Sequence, residues 1–143
     1  MTVTTDKQYI YPPNFAEGSD TMGDNVRHIS IRLTGVADDA TELTNSQVVD
    51  KSDLRRAGVE PSKLILVEAE WSVSTFDAVI LEWDDGTDEE MLRLSGAGFK
   101  DYRSYGGMAP AASGNTGDIL LTTLGAAAGA SYDITLVFKL KAA

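Results

Sequence analysis

Residues 131–141 read Ser-Tyr-Asp-Ile-Thr-Leu-Val-Phe-Lys-Leu-Lys, and this stretch decides the fold class. Apolar and polar side chains alternate along it, and Val137 is the single break in the pattern. Successive side chains of a strand point to opposite faces, so a period of two indicates a β-strand with one buried face. The side chains predicted to point inward are Tyr132, Ile134, Leu136, Phe138 and Leu140.

Similar alternation recurs upstream, and no stretch of comparable length has the period of a helix. Roughly six or seven strands joined by turn-rich connections are typical of an antiparallel β-sandwich, so we expect an all-β, jelly-roll-like fold. The predicted strands before residue 131 are 26–35, 47–50, 63–74, 78–84, 90–95 and 118–124. The core is predicted to include Trp71, Ile80, Leu92, Ile134, Leu136 and Phe138.

Two strands carry more detailed predictions. Residues 78–81 are apolar at every position, which favours a central strand that is covered on both faces. In 63–74, alternation places Leu64 and Leu66 on one face. The side chains predicted for the opposite face are Ile65, Val67, Ala69, Trp71 and Val73.

The connections between strands are also predicted from their composition. Residues 85–86 are Asp-Gly, a hairpin signal between the strands at 78–84 and 90–95. Residues 52–58 predict one or two helical turns, with Ser52 or Asp53 as the cap. Residues 96–118 are rich in Gly, Ala, Ser and Pro and predict a long loop, and the strand at 118–124 is predicted to pair with 131–141 across 125–130.

Residues 1–24 differ in composition from residues 25–143, which we assign to the sandwich domain. The proline pair fixes backbone geometry and keeps this extended N-terminal arm out of a central strand. Its aromatic side chains still favour burial, which leaves two alternatives: the arm folds over its own sheet edge, or it docks on a neighbouring subunit or partner. The candidate partner-contact residues of the arm are Tyr9, Tyr11, Pro12, Pro13 and Phe15.

The net charge of −10 and the isoelectric point near 4.4 argue against a nucleic-acid partner, because phosphate contacts need clustered Lys and Arg. The chain has no cysteine, which removes disulfides and thiolate chemistry. It shows neither a secretory signal nor an apolar run of about 18 residues, so we expect a soluble protein without a membrane partner.

The residues that invite a chemical role have simpler interpretations. His28 lacks a second His or a Cys as partner, and we interpret it as a surface or interface residue. The acidic turn at 84–90 lacks EF-hand spacing and is typical of a solvated hairpin tip. Glu68 and Glu70 share a strand face, as any Glu-X-Glu strand produces. We therefore predict no catalytic, cofactor-binding or metal site, and no enzyme.

Four stretches resemble a known class of proteins. They are LEWDDGTDEE at 81–90, YRSYGG at 102–107, GNTGDILLTT at 114–123 and YDITLVFKLK at 132–141. Across residues 79–141 the chain resembles the small head-decoration, or cement, virion proteins of tailed bacteriophages. The resemblance implies a jelly-roll β-sandwich without catalysis that assembles by contact with a capsid lattice.

The function that the resemblance implies is a virion structural protein that binds a phage capsid surface and stabilises contacts between capsomers. Its expected partners are the major capsid protein and further copies of itself, and a small-molecule ligand is not expected. It would be made in the host cytoplasm and located on the phage head. Tyr102 and Tyr105 are further candidate contacts. Two alternatives stay open: another virion component of the neck, tail or fibre, and a carbohydrate-binding β-sandwich that uses loop aromatics.

Overall fold

The computed structural model describes residues 3–12, 15, 26–56, 58–85, 87–109 and 116–141. The protein is all-β, as its alternating patterns predict. Its described residues form nine strands and two single turns of 3₁₀ helix, at Lys51–Asp53 and Arg103–Tyr105. The strands are β1 (Val3–Tyr11), β2 (His28–Ala37), β3 (Ser46–Val49), β4 (Lys63–Ser74), β5 (Ala78–Trp83), β6 (Glu89–Leu94), β7 (Ala97–Asp101), β8 (Ile119–Leu124) and β9 (Ser131–Lys141).

The strands form two antiparallel sheets. One has the order β1-β2-β9-β4-β7 and the other the order β3-β8-β5-β6. Buried side chains of both sheets make one continuous hydrophobic core. Apart from β1, consecutive strands mostly alternate between the sheets, and this order is consistent with an eight-stranded jelly roll to which β1 adds an edge strand.

Strand β9 lies in the middle of the five-stranded sheet, between β2 and β4. Its five predicted inward side chains are all buried, and Ile134, Leu136 and Phe138 are fully so. The ring of Phe138 contacts that of Trp83 on β5, with centroids 6.4 Å apart in an edge-on arrangement. The alternation in 131–141 is therefore confirmed, and this strand joins the two sheets through the core.

The prediction for the faces of β4 is wrong before Glu68. A β-bulge between Leu66 and Glu68 inserts one extra residue opposite β9. An inserted residue reverses the alternation, so Leu64 and Leu66 point into the core before the bulge. After it, Ala69 and Val73 take the inward positions, as predicted.

Strand β5 is central, as its apolar residues predict, and pairs with β6 on one side and β8 on the other. The predicted hairpin between β5 and β6 is present. Of the six side chains predicted for the core, five are buried. Trp71 is only partly buried, because it packs against the core from beside the edge strand β7 and its Nε1 donates to the Ser95 carbonyl at 3.2 Å.

Three predictions for the connections are wrong. Strands β8 and β9 belong to different sheets, and residues 125–130 cross between them instead of closing a hairpin. Residues 97–101, predicted as loop, form β7 because β4 offers them a free edge. The helical turn begins at Lys51, one residue earlier than predicted, and its cap is Asp50, whose carboxylate accepts from the Ser52 amide at 2.9 Å.

The first part of the segment assigned to an arm lies in the sheet. Residues 3–11 form β1, which pairs antiparallel with β2 along its length, with an irregularity between Tyr9 and Tyr11. The strand is at the sheet edge, where proline after its last residue does not interrupt a central ladder. Of the remaining arm residues, Pro12 and Phe15 are described, whereas Pro13 lies outside the described residues.

Candidate interaction surface

The end of β1 carries an aromatic group whose members have different environments. Tyr9 points inward opposite Ile31 and packs against the core. The Phe15 ring meets the Tyr9 ring edge-on, with centroids 4.9 Å apart. Tyr11 is 48% exposed, and Ile10 beside it is 49% exposed. Tyr9 and Phe15 therefore stabilise the fold, while Tyr11 and Ile10 offer apolar surface to a partner.

The second group of candidate contacts follows β7. The Tyr102 amide donates to the Val67 carbonyl at 2.8 Å, and its ring packs against the core, where burial raises the pKa of the phenol. Tyr105 belongs to the next turn and is 81% exposed. Only Tyr105 is therefore placed to contact a partner through its ring.

The structure does not bring the two aromatic groups together. Tyr11 is on β1, at one edge of the five-stranded sheet, and Tyr105 follows β7, at the other edge. Four strand intervals separate β1 from β7, which corresponds to about 19 Å at the usual strand spacing of about 4.8 Å. They form two separate surfaces.

Between them, the outer face of the five-stranded sheet collects positive charge at one end. Strand β9 ends beside the beginnings of β2 and β4, so Lys139 is opposite both His28 and Ile65, and Lys141 is opposite Lys63. We call His28, Lys63, Arg103, Lys139 and Lys141 the cationic end. The basic residues are spread thinly along the sequence, apart from the close pair Lys139 and Lys141. Strand register gathers positions that are far apart in the chain.

Arg103 reaches this surface from the turn after β7. Its Nη1 donates to the Glu68 carboxylate at 2.6 Å and lies 3.5 Å from that of Asp101. Together with His28, Val67, Gly106 and Lys139 it lines an open recess of about 200 Å³. Burial, followed by the positive charges of Arg103 and Lys139, lowers the pKa of His28. Among the described residues, no carboxylate is hydrogen-bonded to the imidazole as a general base would require.

The carboxylates of the acidic turn after β5 have hydrogen-bond and ion-pair partners close to them in the chain. The Asp88 carboxylate accepts from the Asp85 amide at 3.1 Å, and Glu90 forms an ion pair with Arg93 at 2.8 Å. Within the described ranges, no group of three or more His, Asp or Glu side chains is placed to hold a metal ion. The carboxylates of this turn therefore satisfy neighbouring backbone and side chains.

The middle of the same outer face has a different character. Arg32 binds both carboxylate oxygens of Asp133, at 3.0 and 2.8 Å, beside Glu70 and Thr135. Phe99, on the edge strand β7, lies opposite Glu70 and is 53% exposed. This row of polar groups next to an aromatic ring is the arrangement that would suit a sugar.

Three recesses lined by described residues are small. Their volumes, including those at His28 and at Arg32, are about 200–250 Å³. Pockets for small molecules usually have about 300–1,000 Å³. The described part of the chain thus offers extended surfaces for contact more readily than an enclosed pocket.

Comparisons with protein-family models, curated proteins and solved structures gave no match to this chain. Across the described residues, no helix is long and apolar enough to cross a membrane. The class of the protein therefore follows from its own geometry. It is an all-β protein of two antiparallel sheets with exposed aromatic and charged surfaces.

Proposed function

We propose that the protein is a virion structural protein that binds the surface of a phage capsid and stabilises contacts between capsomers. The proposal joins the resemblance of residues 79–141 to decoration proteins with the two-sheet fold, an architecture common in capsid proteins. Its partners would be the major capsid protein and other copies of the chain, at the outer surface of the head.

The observation that carries this proposal is the open edge of β1. Among the described strands, β1 pairs only with β2, so its other edge has no strand beside it. Such an edge is a template for pairing with a strand of another chain. The exposed side chains of Ile10 and Tyr11 lie at its end, where they would add apolar contact to the backbone hydrogen bonds.

Deletion of residues 1–20 tests the proposal but does not separate an effect on binding from an effect on stability. The composition of the arm predicts that this truncation leaves a folded protein that has lost its partner. Because β1 pairs with β2 and Tyr9 packs against the core, we now expect the truncation to lower stability as well. Point substitutions at exposed positions separate the two effects.

The sharper experiment uses Ile10→Asp and Tyr11→Asp, with Val59→Asp as control. Val59 is 54% exposed, close to the exposure of Ile10, but it lies outside the strands. Co-sedimentation is measured with capsids assembled without the protein. We expect the first two variants to lose binding at unchanged melting temperature, and Val59→Asp to bind normally. Normal binding by both edge variants would contradict a role for the β1 edge.

A second candidate function is carbohydrate binding, which the Arg32–Asp133 row beside Phe99 favours. Sugar rings stack on aromatic rings, and sugar hydroxyls accept hydrogen bonds from arginine and donate them to carboxylates. Titration with a panel of glycans would test it: binding that is lost in Phe99→Ala but kept in Tyr105→Ala would favour this function. Cryo-electron microscopy of the particle would distinguish a head position from the neck, tail or fibre.

A further inference from the structure

We infer that the cationic end is a docking site for a carboxylate-rich segment of a partner protein. The cationic end consists of side chains other than Ile10 and Tyr11, although Tyr11 lies opposite Ser30, two positions from His28 on β2. Its docking role does not depend on whether the partner belongs to a capsid.

Positive charge is concentrated at one place on an acidic molecule. The chain has 12 Lys and Arg against 22 Asp and Glu, yet three lysines and an arginine meet His28 at one end of one sheet face. No ion-pair partner among the described residues neutralises Lys63, Lys139 or Lys141. Like charges held together without partners repel one another, so an incoming carboxylate would relieve this repulsion.

The shape of the cationic end also suits a carboxylate side chain. The recess between His28, Arg103 and Lys139 is concave, and buried Val67 forms its apolar floor. Its volume of about 200 Å³ suits a side chain and not a large ligand. Arg103 already pairs through Nη1 with the carboxylates of Glu68 and Asp101, at 2.6 and 3.5 Å. An arginine has five donors, so its remaining N–H groups can serve a further carboxylate.

An exposed aromatic ring indicates the kind of partner. The turn that supplies Arg103 and Gly106 to the recess also contains Tyr105, which is 81% exposed. Exposed Tyr together with Arg is typical of the residues that dominate protein–protein binding energy. A free anion would make no use of this ring. A nucleic acid would need phosphate contacts along its length, and a molecule with a net charge of −10 repels such an extended polyanion. The combination therefore favours an acidic protein segment.

His28 provides a specific probe, because it is the only histidine in the chain. In untagged protein, its imidazole resonances can be followed by NMR during titration with a hexaglutamate peptide at constant ionic strength. A bound carboxylate favours the charged imidazole, so saturating peptide should raise the pKa of His28, which is otherwise lowered by its cationic neighbours. Inorganic phosphate and a 12-nucleotide single strand are titrated in parallel.

Two pairs of variants locate the site. Lys139→Gln should weaken peptide binding by up to about fivefold, whereas Lys100→Gln, an exposed lysine on β7, should not. Tyr105→Ser should weaken binding of an acidic peptide that contains apolar residues, whereas Phe99→Ser should not. All four positions are exposed, so the folded state is expected to persist in every variant.

Any of the following outcomes would overturn the inference of a docking site for an acidic protein segment. An unchanged His28 pKa, or equal effects of Lys139→Gln and Lys100→Gln, would remove the site. Phosphate that binds as tightly as the peptide would make it a site for free oxyanions, and tighter binding of the single strand would make it a nucleic-acid surface. Concentration-dependent self-association that Lys139→Gln abolishes would assign the surface to a second copy of the chain.

Discussion

Replacement of Phe138 by Ala tests the central claim about the core. Phe138 lies on β9 in the middle of the five-stranded sheet, and none of its surface is exposed. Its neighbours across the ladder are Ile29 and Leu66, and its ring contacts Trp83 of the other sheet. The substitution therefore removes a ring where both sheets meet, and neither sheet can close the gap alone.

The expected loss of unfolding free energy is about 3–5 kcal/mol, the range for removal of a buried Phe ring. A cavity at the junction of two sheets relaxes poorly, because the backbone on each side is held by a hydrogen-bonded ladder, so the upper half of that range is expected. For a chain of this size, about 3 °C per kcal/mol converts a loss of about 4–5 kcal/mol into a fall in melting temperature of about 12–15 °C.

Equilibrium unfolding in urea measures this loss. The midpoint should fall while the m-value stays constant, since the exposed surface changes little. Phe99→Ala is the control, because its ring is already half exposed on an edge strand, and its effect should stay within about 0.5 kcal/mol. A loss below about 1 kcal/mol for Phe138→Ala, or equal losses for the two variants, would refute the packing of the two sheets through this ring.

Two further predictions concern polar groups. The Glu42 carboxylate accepts from the amides of Gly125 and Ala126, at 2.6 and 3.0 Å, so Glu42→Gln should cost about 1–3 kcal/mol in urea unfolding. The matched change at exposed Glu70 should cost little, and equal costs would contradict this role. Hydrogen bonds from Arg32 lower the pKa of Asp133 below 3.8, so its stabilisation is present above that pH and is lost as the pH falls through the folded-state pKa. The check is the urea midpoint of Asp133→Asn and of the wild type, measured from pH 6 to pH 2. The midpoint of the variant should be lower than that of the wild type at pH 6, and the two should converge in acid. A difference between the midpoints that widens in acid would be inconsistent with this linkage.

Local patterns predicted those features that depend on the period of side chains. Alternation predicts the bounds of β4 and β9, and continuous apolar sequence predicts the central position of β5. The two patterns together predict five of the six core residues correctly. The bulge in β4 could not be predicted, because Leu64 through Val67 are all apolar and either parity would bury two of them. The strand β7 was missed because its sequence, Ala-Gly-Phe-Lys-Asp, has weak strand character and forms by pairing with β4.

The candidate contacts divide in the same way. Exposed Tyr11 and Tyr105 were singled out from sequence because large aromatics stood in polar segments. Tyr9, Phe15 and Tyr102 share that signal, yet they pack against the core. Composition alone does not say on which face of an edge strand, or on which side of a turn, a ring will lie.

Three properties of this protein can be read from the sequence alone: it is built from β-strands, one known side of β9 is buried, and the molecule as a whole is acidic. These properties follow from the chain's own period and composition. The folded molecule was needed to see that β8 and β9 join different sheets and that Lys139 lies beside His28, more than 100 positions away in the chain. Sheet pairing and register are set by which faces share the core, and this depends on contacts between strands rather than on any one strand.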